Sequence, residues 1–148
     1  MLFRSEYLLV EIGGRQAALP LADVVRIEQI PAARVESIGY RQVINFEGQL
    51  VPVEDTGGLV AAAQSDPGAR IIVVICRETC RHVGIAVSHV LDVACGGALF
   101  EAGTHQAAGG VTLLKNRVTR IIDLAGVAPL AVAEAGPRGW SEYAETTR

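Results

Sequence analysis

Cys76, Cys80, His82 and Cys95 are the residues with which this chain could do metal chemistry. Two thiolates with three residues between them, an imidazole and a more distant thiol could supply up to four ligands of the kind zinc prefers. The surroundings argue against it. Structural zinc sites usually hold their cysteine pairs with two residues between them on a tight knuckle, and here the flanks are Arg77 and Arg81. Cys76 also ends an apolar run, where a free cysteine serves as a small buried hydrophobe. No Cys-x-x-Cys is present to make a dithiol redox pair. His82 and His89 read as strand or bend residues and His105 as a loop residue. Asp55 and Asp123 end two similar passages, where a carboxylate is better suited to capping the N–H groups of the next turn than to catalysis. There is no GxGxxG, GxxxxGK[ST] or HExxH. No catalytic constellation and no cofactor site emerges; the chain reads as a non-enzyme.

The elements that hold these residues are mostly strands. Residues 7–12 form an apolar run closed by Gly13-Gly14, a pair suited to a hairpin turn, and residues 16–19 return. Pro20 stops the ladder because it has no N–H to donate, and Leu21 to Val25 suggest a helical turn or two before an extended Arg26-Ile27-Glu28. Glu47-Gly48 between two aliphatic runs is a hairpin signal. Residues 55–68 are rich in Gly, Ala, Ser and Pro and read as a linker or long loop. Residues 71–75 are a run of aliphatic, β-branched side chains, most simply a central strand buried on both faces. Residues 124–130 suggest a short helix broken at Pro129, and residues 134–148 a polar tail or linker.

The chain writes its pattern twice. VINFEGQLVPVED at residues 43–55 overlays VTLLKNRVTRIID at 111–123 without a gap, and ALPLADVVRI at 18–27 overlays GIAVSHVLDV at 84–93. Upstream, Leu8-Leu9-Val10 finds a counterpart in Ile71-Ile72-Val73 if the following turn takes a few residues of slack. Two similar small β-barrels of about five strands each explain the repeat, since closing a small sheet removes its exposed edges. In these barrels Leu19, Val24, Ile27, Ile44 and Val53 are expected to be mostly buried in one half, and Ile72, Ile85, Val90, Ile121 and Ile122 in the other.

The 148 residues suffice for one domain with a sizeable core, and 50% hydrophobic against 20% charged residues is a folding composition. A net charge of −3 makes no electrostatic claim on nucleic acid or an anionic membrane. The most apolar run, residues 82–91, is bounded by Arg81 and Asp92 and has only about half the length of a spanning helix. The N-terminus lacks the order of a secretory signal, and three cysteines fit a reducing compartment, so a cytoplasmic location is expected.

Four linked segments resemble a known family, the CheW-like domain of bacterial chemotaxis: YLLVEIGGRQAALPL, DVVRIEQI, the hairpin QVINFEGQLVPVED, and HVGIAVSHVLDV with VTLLKNRVTRIIDL. The resemblance covers roughly residues 7–130 and implies a non-enzymatic coupling module built from two SH3-like barrels packed across an apolar core. Such domains occur alone as the receptor–kinase adaptor and as the C-terminal regulatory domain of the chemotaxis histidine kinase CheA. They pair one barrel with a neighbouring kinase or adaptor domain and take a receptor's cytoplasmic tip in a groove between the barrels. Two positions depart from the pattern: Glu47 stands where the family hairpin usually carries Arg, and Ser88 where a free adaptor commonly has Asp. PLADVVRIEQIPAARVE and VTLLKNRVTRIIDLAGVAPL look more like the kinase version.

The expected architecture is thus all-β, one CheW-like domain over residues 1–133 with approximate halves 7–60 and 70–130 and strands open to exchange between barrels. Candidate partner-binding residues are Arg26 and Glu28 facing outward opposite Ile27, then Val43, Asn45, Glu47 and Gly48 on the first hairpin. Val111 and Leu113 join them, because Leu113 and Leu114 are adjacent in a strand and one must leave the shared face; packing against the other barrel explains Leu113 equally. Expected partners are a chemotaxis histidine kinase, a methyl-accepting receptor tip or another CheW-like domain, with weak self-association and neither nucleic acid nor membrane insertion. The alternative function is a small metal-binding barrel or enzyme using Cys76, Cys80 and His82.

Overall fold

The computed structural model describes residues 5–96, 99–100 and 110–127; the tail at 134–148 and Pro129 lie outside them. Among the described residues twelve strands fall into two sheets. In chain order they are β1 (Ser5–Ile12), β2 (Arg15–Pro20), β3 (Val24–Pro31), β4 (Glu36–Ile38), β5 (Arg41–Phe46) and β6 (Gln49–Glu54). A six-residue helix α1 (Leu59–Gln64) precedes β7 (Arg70–Glu78), β8 (Arg81–Val87), β9 (His89–Gly96), β10 (Leu99–Phe100), β11 (Val111–Leu114) and β12 (Arg117–Ile121). One sheet runs β10-β11-β12-β2-β1-β9 and the other β3-β7-β8-β6-β5-β4. Each curls into a small SH3-like barrel of five main strands and one short edge strand, β10 or β4. The terminal barrel uses both ends of the described chain, and the central barrel uses the stretch between them.

The duplication is real to the level of register. Offsets of 66 and 68 positions, those of the two repeated passages, carry one barrel's pairing onto the other's. Val53 sits beside Gly84 in the parallel β6–β8 pair, and Ile121 beside Ala18 in the parallel β12–β2 pair. Leu8 pairs with Leu19 as Val74 pairs with Ile85. Each barrel has one ladder irregularity at the same place: β9 skips Leu91 opposite Leu9 and Val10, and β3 skips Val25 opposite Ile75 and Cys76. This register corrects one alignment. The counterpart of Leu8-Leu9-Val10 is Val74-Ile75-Cys76, three residues beyond the aliphatic triplet expected, and the turn needs no slack.

Three apolar clusters follow from this order. Ile30, Val35, Ile44, Phe46, Val51, Val73 and Ile75 fill the central barrel, and Tyr7, Leu9, Ala18, Leu114 and Ile121 the terminal one. Leu8, Val10, Leu19, Val74, Cys76, Val83, Ile85, Leu124 and Val127 lie between the barrels. β7 sends alternate side chains into two of these clusters, as its uninterrupted aliphatic run implies for a strand covered on both faces.

Two further expectations are corrected here. Ile27 is 46% exposed rather than core, because the irregularity at Val25 re-aims β3 and Ile30 takes the interior place. The other nine are buried or mostly buried as expected, with Val24, Ile72, Val90 and Ile122 at the margin of the cluster between the barrels. Residues 55–68 are not all loop. Asp55 accepts from the N–H groups of Leu59 (2.7 Å) and Val60 (3.0 Å), and the fully buried Val60 anchors α1. Asp123 caps similarly, accepting from Ala125 N–H at 3.1 Å. Both aspartates are therefore structural caps, the bland reading of their position.

Candidate docking surfaces

The β5–β6 hairpin turns on Glu47 and Gly48, both at positive φ (53° and 84°). That pair of conformations is the tight turn whose twist matches two antiparallel strands. Glycine adopts it freely; Glu47 does not, so something must hold it. Asn45 helps by accepting from Gly48 N–H at 2.9 Å through Oδ1. Arg26 on β3 reaches across the barrel's closure, 3.3 Å from Glu47 and 3.2 Å from Glu28, with its guanidinium 5.4 Å above the Phe46 ring. His82 meets the same ring edge-on at 5.7 Å between centroids, and its Nδ1 lies 3.2 Å from Gln49 Oε1.

Five of the residues singled out from sequence, Arg26, Glu28, Asn45, Glu47 and Gly48, line one hollow of about 640 Å³ floored by Ile30, Ile44 and Phe46. Val43 does not join their free surface. It is 1% exposed, because β5 runs between β4 and β6 at that level, with Glu36 and Pro52 as its partners. Leu113 is the leucine that leaves the shared face, at 56% exposure against 2% for Leu114, and stands directly opposite the exposed Val118. Val111 lines a separate cleft of about 600 Å³ between the barrels.

Sequence reasoning missed how much aliphatic surface stays outside. Val25, Ile27 and Leu50 are exposed on the central barrel, and Leu91, Val93 and Val118 on the terminal one. The duplication held the signal, since the offsets of 66 and 68 turn the first three into the last three. The ion pair is repeated as well: Asp92 and Lys115 occupy the places of Arg26 and Glu47 and meet at 2.9 Å. Lys115 holds the Asp92 carboxyl below its usual range, with help from Val93 N–H. The Ser88 hydroxyl accepts from Gly13 N–H at 3.1 Å, fixing the β1–β2 turn to the crossover from β8 to β9.

The possible zinc ligands are not assembled. Cys76 is buried between the barrels, where desolvation and then the charge of Asp23 push its thiol up to about 12; Cys80 and Cys95 are exposed. His82 leans on Phe46 instead. Among the described residues no group of three or more His, Cys, Asp or Glu is placed to hold a metal ion.

A family model described as the CheW-like domain matches residues 6–131. Comparison with curated proteins gives no match. In fold the chain is similar to the crystal structure of the scaffolding protein TtCheW from Thermoanaerobacter tengcongensis. The TM-score is 0.61 at 14% identity, over 84% of this chain and 87% of that one.

Proposed function

Because the chain belongs to the CheW-like domain family, we propose that it is a docking module of chemotaxis-type signalling, without enzymatic activity of its own. It links receptor cytoplasmic tips to a histidine kinase, either as a free adaptor or as the kinase's own regulatory domain. The observation that carries this reading is the pair of exposed aliphatic sets on equivalent strands, each beside an ion pair that closes its barrel. Apolar centre and charged rim together suit a transient protein contact. On the central barrel the contact residues are Arg26, Glu28, Asn45, Glu47 and Gly48 around their hollow; on the terminal barrel they are Leu113 and its cross-strand neighbour Val118.

Arg26 is shared between Glu28 and Glu47, so the edge of the first hairpin keeps a net negative charge that is only partly answered from within the chain. A partner meeting this edge selects on that charge as well as on shape and apolar contact. Among the described residues no helix is long and apolar enough to cross a membrane. The proposed place of action is the cytoplasm, at the membrane only through a receptor array.

Pull-down of purified receptor-tip and kinase fragments by the folded chain tests the proposal. Retention of at least one is expected, weakened by Leu113→Glu or Ile27→Glu. Retention of neither by a chain with a native circular dichroism spectrum overturns it.

A further inference from the structure

The near-symmetry of the two barrels is broken where the chain leaves β6 and β12. Residues 121–127, IIDLAGV, fold back so that Leu124 and Val127 are buried between the barrels, at 5% and 3% exposure. Arg81 at the start of β8 secures them, its Nη2 donating to the carbonyls of Val127 (2.6 Å) and Leu124 (3.4 Å). The corresponding stretch of the first half is residues 53–59, VEDTGGL, and the residue corresponding to Arg81 is Arg15 at the start of β2. Here an exposed Thr56 stands in the place of Leu124. The Arg15 side chain has no hydrogen bond or ion pair among the described residues. Where the second half is filled, the first half is open. A cleft of about 600 Å³ lies there, between Thr56 and Arg15 and against Ile85.

Charge says what could enter it. Arg117 and Arg120 line the same cleft, and their side chains too have no partner among the described residues, while Glu54 is the one carboxylate of the lining. Three unanswered guanidinium groups in a chain of net charge −3 favour an acidic occupant. Ile12, Ile85 and Val118 line it as well, and a small inorganic anion would leave that apolar surface wet. We infer that this cleft docks a segment of a partner protein that carries one aliphatic side chain flanked by carboxylates. The side chain takes the space that Leu124 fills in the other half, and Arg15 donates to a main-chain carbonyl as Arg81 does to Val127. The inference deepens the docking reading by giving the chemistry of one contact.

The test needs no native partner, so its failure is separable from failure of the pull-down. A fluorescein-labelled, acetylated peptide EEIIDLAGVEE, the chain's own filler with acidic flanks, is titrated with the whole chain and followed by anisotropy. Saturable binding is expected, weakening as salt rises. Arg15→Glu, Arg117→Glu and replacement of the peptide's leucine by serine should each weaken it by about tenfold or more. Thr56→Leu, which supplies the missing side chain from within, should abolish binding and raise the melting temperature. Arg15, Thr56 and Arg117 are exposed, so the variants are expected to fold, checked by circular dichroism. No saturable binding up to about 1 mM chain overturns the inference. So does binding indifferent to Thr56→Leu and to the peptide's leucine, or full displacement by inorganic triphosphate, which would mark a simple anion site.

Discussion

Arg26 and Glu47 join the two ends of the central barrel at 3.3 Å, and the duplicated positions, Asp92 and Lys115, join the terminal barrel at 2.9 Å with the signs exchanged. Keeping a bond while swapping its charges is what two copies can do once each pair is under separate constraint. Both pairs are well exposed, so each contributes little to stability. Glu47→Arg, which sets two guanidinium groups face to face, should cost about 0.2–1 kcal/mol. The double variant Arg26→Glu, Glu47→Arg should recover only part of that, because it also removes the Arg26–Glu28 pair and the guanidinium over Phe46. Urea denaturation of the four proteins measures the coupling, and additive losses would show that the pair is incidental.

Gly84 on β8 lies against side chains of β7 and β6. A Cβ there would meet Val73 Cγ1 at 2.9 Å and Val53 Cγ2 at 3.5 Å. Val73 is fully buried and stiff at its branched carbon, so it yields poorly. Gly84→Ala should therefore destabilise the chain by about 1–3 kcal/mol, seen as a lower denaturation midpoint. Gly48→Ala, with nothing near its Cβ, tests backbone strain alone.

The aspartate caps should differ in weight. Asp55 accepts two N–H groups and Asp123 one. Asp55→Ala is expected to cost about 0.5–2 kcal/mol, more than Asp123→Ala, with faster hydrogen exchange at the amides of Leu59 and Val60.

Of the three cysteines, Cys80 and Cys95 should react quickly with Ellman's reagent at pH 8, and Cys76 only after unfolding. Folding raises the Cys76 thiol from the ordinary 9.0 to about 12. Its neutral form is thus favoured in the folded state, and the associated stabilisation is complete below 9.0 and lost as pH climbs toward 12. Melting temperatures between pH 8 and 11 should fall less steeply for Cys76→Ala than for the native chain.

Much of this was legible because the repeats are long enough to fix a frame. The gapless overlays at residues 43–55 and 111–123 place both hairpins and, with them, both parallel strand pairs. The misplaced triplet at residues 71–73 has a plain cause: six consecutive apolar residues, Ile71 to Cys76, offer several frames with equal apolar match, and only the pairing with β3 selects one. Ile27 read as core because a ladder irregularity has no composition of its own. Helix α1 hid in a Gly- and Ala-rich stretch because its stability comes from the Asp55 cap and the burial of Val60, neither visible as periodicity in six residues. Of the candidate contact residues, those at the hairpin tip were found from turn chemistry. Arg15, Arg117 and Arg120 were missed, since they come together only through the parallel β12–β2 pair.

The nesting of one barrel inside the other constrains how the chain can be made. β3 to β8 are contiguous, so the central barrel has all its strands once Val87 has left the ribosome. β1 and β2 must by then have waited through the synthesis of the whole interior, and their sheet is complete only when β12 arrives. Until that moment the aliphatic residues of β1 and β2 have no closed barrel to enter. Among the described strands, the first two to be made are therefore among the last to enter a closed barrel.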